Sequence, residues 1–129
     1  MKHVAIYELS KDGYRLFVEP SEPPLPRLDW ADYRPDVVGI DEAPDGVRIA
    51  LVECETCPRI ARIQEKLAKI ASLTLQTRLN ERHRFRPILV IPPRTLHRIL
   101  YPGLRRFWEL WIVNRRGRYV EKIPAVQPR

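Results

Sequence analysis

The run Val47-Arg48-Ile49-Ala50-Leu51-Val52 constrains this chain more than any other segment. It has the composition of a buried strand, and it ends on Glu53-Cys54-Glu55. Side chains alternate along a strand, so Ile49, Leu51, Glu53 and Glu55 share one face. Two carboxylates at the end of an apolar strand repel each other and resist burial. They need a cation, a bound proton, or a paired Arg or Lys. Asp36 begins the preceding apolar run, Val37-Val38-Gly39-Ile40, and the stretch from Asp41 to Gly46 has the composition of a turn. If Ile40 pairs with Val47, Asp36 lies opposite Leu51, on the face of Glu53 and diagonal to it. A slip of one residue would move Asp36 to the other face. In the first register Asp36, Glu53 and Glu55 converge, which is how a hard cation such as magnesium is held.

This arrangement resembles the PD-(D/E)XK nuclease superfamily, in which a Pro-Asp precedes an antiparallel strand pair. In that family the second strand carries an acidic residue, one spacer and a Lys, and a helix follows. Here Pro35, Asp36 and Glu53 match, and Glu55 stands where the Lys is expected. The resemblance covers roughly residues 35 to 91, with element order strand, strand, helix, strand. It implies a restriction-endonuclease-like α/β fold and phosphodiester cleavage with magnesium or manganese. Asp36, Glu53 and Glu55 would be the metal ligands and part of the catalytic set. Lys66 is the candidate for the missing Lys, because some relatives carry it on the following helix. Its place about two turns into that helix, roughly 10 Å along the axis, argues against contact with Glu55, and Arg59 lies closer. The family's first acidic residue sits on an N-terminal helix. No such helix is evident in this sequence, and Glu19 or Asp32 would have to stand in.

At 129 residues the chain is expected to form one domain over residues 1–129 with its own core. Hydrophobic content of 44% and charged content of 30% fit a soluble globular protein. No secretory or transmembrane stretch is evident, so a cytoplasmic protein that avoids the membrane is expected. The net charge of +7 hides an asymmetry: residues 1–55 hold six Lys/Arg against twelve Asp/Glu, and residues 56–129 hold seventeen against four. An acidic half with the carboxylates and a basic half beside it suit a metal-dependent enzyme acting on a polyanion, DNA or RNA. Mutual neutralisation of the halves would explain the same numbers. Two Asn, three Gln and 13 Pro make a mild thermophile signature.

Along the chain, residues 3–8 and 14–18 read as strands of an N-terminal β-hairpin turned by Ser10-Lys11-Asp12-Gly13. Residues 19–35 hold five Pro and read as an extended connector pinned by Trp30 and Tyr33. Pro58 opens a long helix over residues 58–79, with Ile63 and Ile70 on its apolar face. After a loop at residues 80–84, Pro87 to Ile91 reads as a strand buried on both faces, completing a right-handed parallel crossover. Thr95 to Leu100 reads as a short helix, and Phe107 to Val113 as a strand turned back toward Tyr119-Val120. The expected fold is α/β, a mixed β-sheet flanked by helices.

Arg82, Arg84 and Arg86, with Arg94 and Arg98, and Arg115 and Arg116 at a hairpin tip, are candidates for gripping phosphates. No base-reading motif is present, so binding through the nucleic-acid backbone is expected. A dimer would let so small a domain engage both strands of a duplex. Two alternatives compete. One is a non-catalytic nucleic-acid-binding module of the same fold. The other is a thiol oxidoreductase using Cys54 and Cys57, a C-x-x-C at a strand-to-helix junction. A zinc site lacks a second Cys pair.

Overall fold

The computed structural model describes residues 2–20, 34–55, 60–78, 83–93, 108–114 and 120–125. Helix α1 (Lys2–Lys11) leads into β1 (Arg15–Val18), β2 (Val37–Ala43) and β3 (Gly46–Cys54). Helix α2 (Ile60–Arg78) then crosses to β4 (His83–Ile91), followed by β5 (Glu109–Val113) and β6 (Val120–Ile123). The six strands form one sheet in sequence order. β3, β4 and β5 run parallel, and the pairs β1/β2, β2/β3 and β5/β6 are antiparallel. This is the expected mixed α/β architecture.

The N-terminal hairpin is a correction: residues 3–8 are helical. Val4, Ile6 and Tyr7 favour strands locally, but burial decides. Val4, Ala5 and Leu9 fall at helical spacing and pack on the sheet. The supposed turn is the helix terminus. Asp12 and Tyr14 N–H groups donate to the Leu9 carbonyl at 3.1 and 3.2 Å, and Gly13 N–H donates to Ser10 at 3.2 Å. Gly13 takes φ +88°, which a side chain would resist. The N-terminal helix that the sequence reading missed is therefore present. β1 pairs with β2 instead, and Gly39 lets Tyr14 lie against the sheet, since a Cβ there would come within 3.1 Å of the ring.

The β2/β3 hairpin is longer than its composition suggests. Asp41, Glu42 and Ala43 continue the strand, Ala43 pairs with Gly46, and Pro44-Asp45 alone make the turn. A cross-strand ion pair between Asp41 and Arg48 supports the extra rungs. The register thus shifts by two residues, with Ile40 opposite Ile49 rather than Val47. A shift of two preserves faces. The pairing ends with Val37 opposite Val52, and Asp36 N–H donates to the same Val52 carbonyl at 3.0 Å, one residue out of that register.

Two cores result, one on each face. Under α2, Ile63 and Ile70 meet Ile49, Leu51, Leu89 and Trp108. Under α1, Val4 and Leu9 meet Val52, Ile88, Val90 and Trp111. Both tryptophans are fully buried, on opposite faces. β4 starts at His83, so His83 and Arg84 belong to the ladder and not to the loop. The short helix expected at 95–100 and most of the proline-rich connector lie outside the described residues.

Candidate functional site

The continuation of β3 places Glu53 and Glu55 at the end of the central strands. Glu55 N–H donates to the Val90 carbonyl at 2.9 Å, extending the parallel β3/β4 ladder by one rung. Alternation points Glu53 toward α2, as it does Ile49 and Leu51. Glu53 is 1% exposed and Glu55 8%. Carboxylates so deeply placed require a cation. Lys66 supplies it: its Nζ donates to Glu53 Oε2 at 2.5 Å and to Glu55 Oε1 at 2.8 Å. Arg62, on the exposed side of α2, stands 3.6 Å from Glu55.

The expectation that Lys66 is too far from Glu55 is overturned. It took the axial distance from the start of the helix as the separation from the strand end. The crossover instead folds α2 back over the sheet, so moving along the helix retraces β3. The described part of the helix starts at Ile60, and the expected start at residue 58 lies outside the described residues. Burial opposes the charge on Lys66, but its bonds to Glu53 and Glu55 outweigh that cost and raise its pKa.

Asp36 is half-buried at the start of β2, behind a buried Pro35. Its Oδ2 accepts from Cys54 N–H at 2.8 Å, which aims the carboxylate at the end of β3. Glu19 N–H donates to the Asp36 carbonyl at 2.8 Å, closing the ends of the proline-rich connector on each other. Glu19 sits at φ 45°, a conformation costly for a residue with a side chain, and its carboxylate pairs with Lys2. Asp32 and Arg59 lie outside the described residues. Helix α1 carries one acidic residue, Glu8, which pairs with Lys122 at 3.0 Å under the other face.

Among the described residues, no three His, Cys, Asp or Glu side chains are gathered closely enough to hold one ion together. Magnesium does not require three. It commonly takes one or two carboxylates and completes its shell with water and substrate phosphate. Asp36 and Glu53, hard oxygen donors at the ends of neighbouring strands, are the residues of the described set with the chemistry for that role.

Of the phosphate-gripping candidates, Arg84 is exposed on β4. Arg86 is held by Glu109, Nε to Oε2 at 2.6 Å and Nη2 to Oε1 at 2.7 Å. Arg82, Arg94, Arg98, Arg115 and Arg116 lie outside the described residues. Cys54 is a free thiol whose pKa burial pushes up to about 12, with the Asp36 charge adding to the shift. A reactive thiol needs the opposite shift. Cys57 lies outside the described residues. No helix among the described residues is long and apolar enough to cross a membrane.

No family model matches the chain, and no curated protein matches it in sequence. The structure is similar to the crystal structure of an XisH family protein from Nostoc punctiforme PCC 73102, with a TM-score of 0.53 at 15% identity. The match covers 94% of this chain and 96% of that one. The fold is therefore α/β and restriction-endonuclease-like, with the described residues forming a mixed six-stranded sheet and one helix on each face.

Proposed function

We propose that the protein binds nucleic acid and cleaves phosphodiester bonds with magnesium or manganese, using Asp36, Glu53, Glu55 and Lys66. The observation that carries this reading is the placement of Lys66 on Glu53 and Glu55. It restores, from the helix, the acid-and-lysine combination that the strand motif lacks at position 55. Asp36 and Glu53 would hold the ion, which when bound supplies an activated water and charge stabilisation on the phosphate. Asp36 is oriented by the Cys54 N–H before any ligand arrives. Lys66 places a positive charge at the sheet end, where a phosphate would gain negative charge in the transition state. The Lys66 side chain is largely buried, where a charge acts more strongly than in water.

The test is cleavage of single-stranded, duplex and branched nucleic acids with magnesium, with manganese and with chelator. Cleavage that needs the ion and disappears in Asp36→Ala supports the reading. A protein that binds nucleic acid but cleaves none of these substrates would favour the second reading, a binding module of the same fold. The observation on that side is that Lys66 already compensates both glutamates.

A further inference from the structure

Two arginines stand beside sheltered carboxylates among the described residues, and they are held differently. Arg86 is committed: its guanidinium gives two bonds to Glu109, at 2.6 and 2.7 Å. Arg62 Nε stands 3.6 Å from Glu55 Oε1, beyond hydrogen-bond reach. Its side chain is 64% exposed, and that of Glu55 is 10% exposed. Among the described residues its guanidinium gives no hydrogen bond. At this range the carboxylate attracts the guanidinium and leaves its N–H donors unused. The same Oε1 accepts from Lys66 Nζ at 2.8 Å, so two cations one turn apart on α2 converge on one anchor. The backbone of that anchor is itself tied down, because Glu55 N–H bonds to the Val90 carbonyl at 2.9 Å.

We infer that Arg62 is a phosphate contact for the nucleic acid beside the end of β3, and that Glu55 is the positioning residue that holds its guanidinium there. The inference rests on the nucleic-acid binding proposed above and needs neither the ion nor cleavage. A planar guanidinium suits the paired oxygens of a phosphate. One that is placed in advance but uncommitted meets the phosphate without first breaking a bond. Position 55, where the nuclease motif carries a lysine, thus gains a task that only an acidic residue performs. A lysine there would repel both Lys66 and Arg62.

The experiment is fluorescence anisotropy of the full chain with labelled oligonucleotides, single-stranded and duplex DNA and RNA, in chelator and over a series of salt concentrations. Arg62→Gln should weaken binding about fivefold and lower the slope of log affinity against log salt by about 0.7–0.9, the loss of one phosphate contact. In a Glu55→Gln background, where the arginine is no longer held in place, the same change should cost less than about twofold. Glu65, exposed on α2, is the charge-only control. Glu65→Gln should tighten binding, because it removes a repelling charge, whereas Glu55→Gln should not. Equal losses from Arg62→Gln in both backgrounds would overturn the inference, as would Glu55→Gln tightening binding as much as Glu65→Gln does. If Glu55→Gln does not fold, Glu55→Asp, which keeps the charge and withdraws it by one methylene, takes its place in the same cycle. If wild type binds none of the oligonucleotides, the nucleic-acid reading itself falls and the inference with it. If wild type binds but Arg62→Gln changes neither affinity nor slope, the inference alone falls.

Discussion

Under α1, each half-buried charge lies beside a partner of the opposite sign. Arg86 meets Glu109 in a two-pronged bond, and Glu109 Oε1 also accepts from Trp111 Nε1 at 3.0 Å. Lys122 meets Glu8 at 3.0 Å. Both cations lie over the Trp111 ring, at 5.8 and 4.7 Å from its centre. Under α2, two buried glutamates two residues apart on one strand both bond to Lys66, and Arg62 stands 3.6 Å from Glu55. The first arrangement is what a fold needs to seat polar groups beside a core. The second buries two like charges side by side, which a fold does not need for its own stability. Like charges held together in a buried place are characteristic of functional sites. The two faces thus separate what stabilises this molecule from what it is proposed to act with.

The largest effects should fall on opposite properties. Asp36→Ala or Glu53→Ala is expected to remove ion-dependent cleavage altogether, and Glu109→Ala to leave it intact in the folded fraction, as read from initial rates. A Glu109 variant that loses cleavage while fully folded would erase the division between the faces.

Next in size is stability. Glu109→Ala leaves the Arg86 guanidinium half-buried without its partner and takes an acceptor from Trp111. A loss of about 2–3 kcal/mol is expected in urea unfolding, somewhat below that of a fully buried pair.

A third outcome concerns acid. Glu109 is penalised by burial, but bonds from Arg86 and Trp111 outweigh that and lower its pKa below the usual carboxylate range. The folded state therefore binds this proton less readily than the unfolded chain does. Its contribution is present above the unfolded value of about 4.3 and is lost as pH falls through the folded value. Glu109→Gln should flatten that part of the stability-versus-pH curve, measured between neutral pH and the acid transition.

The smallest effect expected is on nucleic-acid binding. Arg84→Ala, at an exposed rung of β4, should weaken binding a few-fold and lower the slope of affinity against salt by about one. Arg86 is committed to Glu109, so its replacement should act mainly on stability.

Much of this was legible in the residues. The β3/α2/β4 crossover followed from the apolar runs ending at Val52 and Ile91 and from the spacing of Ile63 and Ile70. The β2/β3 pairing was misjudged by two residues, because Asp41 to Ala43 read as a turn and continue the strand instead. The α1 helix was not legible, because Val4, Ile6 and Tyr7 favour strands and only the sheet beneath them reveals a helical stripe. Lys66 was a candidate whose contact with the glutamates was misjudged, since a crossover's return path is a tertiary property. Arg86 looked like a phosphate ligand because Glu109, its partner, is 23 residues away in sequence.

The central claim is that the second buried carboxylate under α2 is kept for function at no benefit to the fold. Urea unfolding of Glu53→Gln tests it without any knowledge of the substrate. Lys66 would retain Glu55, so no buried charge is stranded, and one repulsive pair is relieved. The account predicts a variant at least as stable as wild type, within about 1 kcal/mol. A loss of about 3 kcal/mol or more, the size expected when a structural buried pair is broken, would contradict it.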